Sequence, residues 1–81
     1  MRMTAAQCRM ARTGLGLSNA MLAELANVGV NTVSRFEQGA DARSSSVDAL
    51  QRALEDAGAV FLGENEVSLG GGAGVRLRSA A

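Results

Sequence analysis

Residues 17–39 read Leu-Ser-Asn-Ala-Met-Leu-Ala-Glu-Leu-Ala-Asn-Val-Gly-Val-Asn-Thr-Val-Ser-Arg-Phe-Glu-Gln-Gly. Their pattern predicts two short helices, 19–26 and 30–37, joined by a tight turn. Ser18 can cap the first helix by accepting from an orphan backbone N–H, and Leu17 can staple onto Leu22. Leu22, Leu25 and Ala26 recur at helical spacing, which predicts one buried face. Asn27 falls where the chain must turn, and asparagine tolerates the left-handed conformation better than most residues. Val28, Val33 and Phe36 are then expected inward, leaving Val30, Asn31, Thr32, Ser34 and Arg35 outward, and Gly39 closes the helix. Short polar outward residues with a single charge suit a helix that lies in the major groove of DNA.

Further helices flank this pair. Thr4 and Gln7 make a capping box and Met3 can staple against Cys8, so a first helix should run over 5–13 until Gly14 and Gly16 end it. Ala40 to Ser44 read as a loop. Ser45 with Asp48 offers another capping box, opening a fourth helix through Ala57 with an apolar stripe of Val47, Leu50, Leu54 and Ala57. Gly58 stops it. The tail changes period: 59–63 and 75–78 are β-prone, separated by a turn signal at 63–65, an alternating segment at 66–69 and a glycine run at 70–74. The division is therefore a helical domain over 1–58 and a β-prone tail over 59–81.

Composition narrows the function classes. The 81 residues hold eight basic and eight acidic side chains, and 47% are hydrophobic. Residues 1–43 carry five arginines against three acids, whereas 44–75 carry one arginine against five acids. The basic part is thus the proposed reading head, and the rest opposes indiscriminate phosphate binding. One cysteine and no histidine give no disulfide and no Cys/His metal site, and no cofactor is expected. Without histidine, lysine or tyrosine there is no acid–base or nucleophilic constellation, so an enzyme is not expected. No stretch has the apolar length of a membrane span, and a cytoplasmic, nucleoid-associated location is expected.

The run Leu17-Ser18, Leu22-Ala23-Glu24-Leu25-Ala26, Val28, Thr32-Val33-Ser34-Arg35-Phe36-Glu37, Gly39 resembles, without a gap, the Cro/C1-type (XRE) helix-turn-helix family of bacterial and phage repressors. The likeness extends over roughly residues 4–58. It departs from the family at Asn27, where glycine is usual, and at Gly29, where a serine or threonine usually caps the second helix of the pair. The resemblance implies a mainly α, four- to five-helix, lambda-repressor-like domain. Here a short C-terminal strand or hairpin tail stands where many members have a fifth helix. It also implies a transcriptional regulator, a repressor that covers a promoter. One head reads few base pairs, so a homodimer on a palindromic operator is expected. The alternative is an antitoxin-like or adaptor protein whose C-terminal tail binds a second protein.

Site residues follow. Arg35 can fork onto guanine O6 and N7, and Asn31 can bond adenine bidentately. Thr32 and Val30 offer contacts to a thymine methyl, Val30 being equally suited to partial burial in the turn. Ser18, Asn19, Ser34, Gln38 and Arg43 are candidates for phosphate, the first two because N–H groups at a helix start attract anions. The family resemblance pairs Arg12 with Glu37 as a structural ion pair. Val60, Phe61, Leu62, Val75 and Leu77 are candidates for dimerisation, since an isolated hairpin is marginal in water and its edges invite pairing within one chain or between two. Cys8 reads as a small core residue.

Overall fold

The computed structural model describes residues 2–62 and 74–78. Its elements are α1 (Ala5–Gly14), α2 (Asn19–Ala26), α3 (Val30–Glu37), α4 (Ser44–Asp56), β1 (Ala59–Leu62) and β2 (Gly74–Leu77). The chain is therefore mainly helical, with four helices and one two-stranded antiparallel hairpin among the described residues.

Local chemistry accounts for most of the boundaries. Thr4 accepts from the Gln7 backbone at 3.1 Å while the Gln7 side chain accepts from the Thr4 N–H at 2.8 Å, a complete capping box. Ser18 caps α2 by accepting from the Met21 N–H at 3.0 Å. Asn27 ends α2 at φ 58° and ψ 46°, the left-handed conformation required between the two helices. Gly29 leads α3 with no side-chain cap, as a residue without a hydroxyl must.

Two helical expectations are corrected. The helical spacing predicts Leu25 on the buried face of α2, yet it is 58% exposed. The buried residues of α2 are Leu22 and Ala23, with Ala26 partly buried. At about 100° per residue that arc is centred between Leu22 and Ala23, leaving Leu25 about 100° off it. The fourth helix begins at Ser44, capped at Arg43 without a side-chain bond, because the Val47 N–H already bonds the Arg43 carbonyl at 3.0 Å. Ser45 is thus inside the first turn and does not cap it.

Leu22, Val33, Leu50 and Leu54 are fully buried at the centre of the core, joined by Cys8 and Ala11 of α1. The tail strands pair with each other, Ala59 opposite Leu77 and Phe61 opposite Val75. Ala59 and Phe61 are buried against this core, and Val75 packs on it. Leu77 comes close to α1, where a Cβ at Gly14 would lie 3.1 Å from its Cδ1. This packing on α1 and α4 supports a hairpin that is marginal in isolation.

The hairpin is also tied down by Gln7. Its Nε2 donates to the carbonyls of Leu62 at 2.9 Å and Gly74 at 3.0 Å, the closing pair of the hairpin. Of the expected strand residues, 78 lies just beyond β2 and 63 lies outside the described residues. The expected turn, alternating segment and glycine run (70–74) also lie outside the described residues, except Gly74, which opens β2.

Candidate nucleic-acid interface

The placement of α3 is decided from below by one buried acid. Glu37, 7% exposed, receives Arg12 as a fork, Nε to Oε2 at 2.8 Å and Nη2 to Oε1 at 3.0 Å. Arg12 Nη1 also donates to the Leu17 carbonyl at 3.0 Å, so one guanidinium joins the end of α3 to the entrance of α2. Arg9 adds a bond from Nη2 to the Glu37 carbonyl at 3.1 Å. A bidentate pair of this kind constrains direction as well as distance. Burial, and then the negative Glu37 beside it, pushes the Cys8 thiol up to about 12, despite the opposing charge of Arg12. The thiol is therefore neutral at physiological pH, and its S–H points at Glu37 Oε2 at 3.5 Å. The hydrogen bond to Glu37 in turn raises the pKa of Arg12.

Val33 is buried, and Phe36 packs partly against the core. With Glu37 held as well, the opposite face of α3 is left outward. Val30 is 46% exposed, Asn31 and Arg35 are exposed, and Thr32 and Ser34 are half-buried. Arg35 makes no ion pair among the described residues, so its fork is free to engage a ligand. Arg35 and Thr32 border an open cleft of about 340 Å³, whose other walls are Asp41, Ala42, Arg43 and Ser46. The structure therefore brings a base-reading candidate and a phosphate-binding candidate, Arg35 and Arg43, to one concavity.

The remaining phosphate candidates are less uniform. The Ser18 hydroxyl serves its own helix, leaving that oxygen occupied as an acceptor. Asn19 turns its amide inward, Nδ2 to Ser34 Oγ at 3.2 Å, so these two side chains link α2 to α3. The Oδ1 of Asn19 is buried and has no partner among the described residues. Gln38 is exposed at the C-cap of α3, and Arg43 is exposed at the N-cap of α4. Among the described residues no cluster of His, Cys, Asp or Glu is arranged to hold a metal ion.

The five apolar tail residues do not share one surface. Strand alternation puts Phe61, Val75 and Leu77 toward the helices and Val60 and Leu62 on the other face. Phe61 is only 7% exposed, its area already used in the chain's own core. Arg9 and the second pair of Gln7 bonds carry structural roles that the sequence does not signal, and Asp41 lines the cleft without having been a candidate. Gln7 is accounted for locally by its capping box, and nothing in the local pattern points to its second pair of bonds.

A family description, helix-turn-helix, matches residues 9–56, more than half of the chain. No curated protein matches it at a significant level. The chain belongs to the Cro/C1-type (XRE) helix-turn-helix family, which is a family of DNA-binding regulators rather than of enzymes. No helix among the described residues is long and apolar enough to cross a membrane.

Proposed function

We propose that this DNA-binding regulator is a sequence-specific repressor that acts as a homodimer on a palindromic operator, in the cytoplasm and on the nucleoid. One observation carries the reading: α3 is anchored through Glu37 while Asn31 and the unpaired Arg35 are left outward on its far side. Arg35 reads guanine as a fork, Asn31 reads adenine, and Thr32 and Val30 border the same base edges. Arg43 and Gln38 hold phosphates on either side, and the start of α2 at Ser18 and Asn19 presents its first backbone N–H groups to another.

A dimer follows from the small number of base pairs one α3 can read. Among the described residues β2 has an unpaired edge, which supports the same reading. The Arg78 N–H bonds the Gly58 carbonyl, so the register makes residues 60 and 76, then 62 and 74, the bonded pairs. The N–H and C=O groups of Val75 and Leu77 consequently point away from β1. Two such edges can pair across a two-fold axis. Repression then comes from occupying the promoter.

Selection of duplexes from a randomised pool tests the proposal. The expected product is an inverted repeat with half-site centres about 34 Å apart, one helical turn. A pool that shows no enrichment, or a single unrepeated site bound by one copy, overturns it.

A further inference from the structure

We infer that Asp41 is an affinity-setting residue, an acid in the DNA-facing cleft that subtracts sequence-indifferent attraction to phosphate. The inference rests on the DNA-binding reading above and deepens it. Asp41 lines the same cleft of about 340 Å³ as Arg35 and Arg43, with Thr32 and Ser46 completing the polar wall. It is exposed, and it forms no ion pair among the described residues, with either arginine or with any other group. It is therefore not a structural partner spent on holding the loop between α3 and α4. Its charge is left facing the volume that a DNA backbone would enter.

The consequence follows from charge counting. The cleft holds two cations and one anion, a surplus of one positive charge where neutral Asn at position 41 would leave two. Attraction to phosphate is long-ranged and the same for every sequence, whereas a fork from Arg35 to guanine is short-ranged and sequence-dependent. A carboxylate beside the phosphates therefore weakens binding to all DNA. Because this penalty is the same for every sequence, it lowers affinity for the operator and for other DNA by one factor and leaves the ratio set by the base contacts. The operator affinity is thereby held below what the two arginines alone would give. The whole chain has no net charge, so no general basicity compensates for this local loss.

The test compares the full-length protein with Asp41→Asn and Asp41→Glu, using two duplexes of equal length. One is the best sequence selected from a randomised pool, and the other is its scrambled version. Both are titrated over a range of salt concentrations. Asp41→Asn should raise affinity for both duplexes by the same factor, about three- to tenfold, and steepen the salt dependence of each by up to about one phosphate contact. The ratio of the two affinities should stay as it is. Asp41→Glu, which keeps the charge, should keep both affinities near those of the unaltered protein. No gain on either duplex, or a gain confined to one of them, overturns the inference. A loss of affinity for the selected duplex in Asp41→Asn also overturns it, because the carboxylate would then be a direct contact. Failure of the unaltered protein to bind any duplex overturns the DNA-binding reading itself, a result distinct from all of these.

Discussion

Arg35 and Arg43 share one cleft, yet the proposed roles separate them by experiment. Arg35→Ala should cost about 1–3 kcal/mol on the operator and relax base preference at one position per half-site. Arg43→Ala should weaken all sequences alike and flatten the salt dependence. Binding over a randomised operator library separates the two; an unchanged preference in the Arg35 variant removes it from the readout. Behind α3, Glu37→Ala strands Arg12 while Arg9 keeps its main-chain carbonyl partner, and Arg12→Ala strands a buried carboxylate. Each should cost about 3–5 kcal/mol, as removing one member of a buried pair does. The double variant should cost less than the sum, and a thermal double-mutant cycle that came out additive would mean the pair is not coupled. Cys8 gives a pH signature. The folded thiol keeps its proton up to about 12, against an ordinary value near 9. Its contribution is thus complete below about pH 9 and is lost as pH rises toward 12, by up to about 1.4 kcal/mol per pH unit. Urea melts on either side of about pH 9 should show that slope, and Cys8→Ala should flatten it.

At the scale of elements, the hairpin depends on a residue far away in the chain. Gln7 uses its oxygen for the α1 cap and its nitrogen for the two carbonyls of the closing pair, so all its polar atoms are satisfied while it is fully buried. Glutamate at this position keeps the cap but turns an acceptor toward two acceptors in a buried place. Gln7→Glu should therefore cost about 1–3 kcal/mol, the penalty for leaving buried groups unsatisfied. The loss should fall on the hairpin first. Hydrogen exchange would show it as faster exchange of β1 and β2 amides, with α2 and α3 little changed. Uniform acceleration over all elements would mean instead that the hairpin is part of one cooperative unit with the helices.

For the whole molecule, the proposed dimer raises the question of how two heads would be held together. Removing residues 59–81 is a poor probe of that, because Ala59 and Phe61 belong to the core and their loss would weaken the head as well. A sharper probe is the free edge of β2. Leu77→Pro deletes a backbone N–H that points away from β1 and keeps the ladder inside the chain. With edge-to-edge pairing, this variant should sediment as a monomer at micromolar concentration and lose much of its operator affinity, with the helical head still folded although the lost Leu77 packing lowers its melting point. A variant that stays dimeric would move the interface to the helices.

What the sequence determined by itself is the set of features whose cause lies within three or four residues. The capping box of Thr4 and Gln7, the cap at Ser18, the left-handed Asn27 and the order of helices before a short β tail all follow from neighbours competing for the same few backbone groups. The outward placement of Asn31 and Arg35 was legible for the same reason, since the helical period assigns sides once a single inward residue is known. The tertiary structure decided the rest. Leu25 is exposed because the arc that α2 buries depends on where α3 and α4 sit, which no periodicity within eight residues reveals. The hairpin closed within the chain because Gln7 reaches partners 55 and 67 residues away, and Phe61 joined a core built mostly by helices that precede it. Asp41 reached the cleft of Arg35 and Arg43 through the path of a loop. Contacts at such separations depend on the whole packing and leave no trace in the local order of residues.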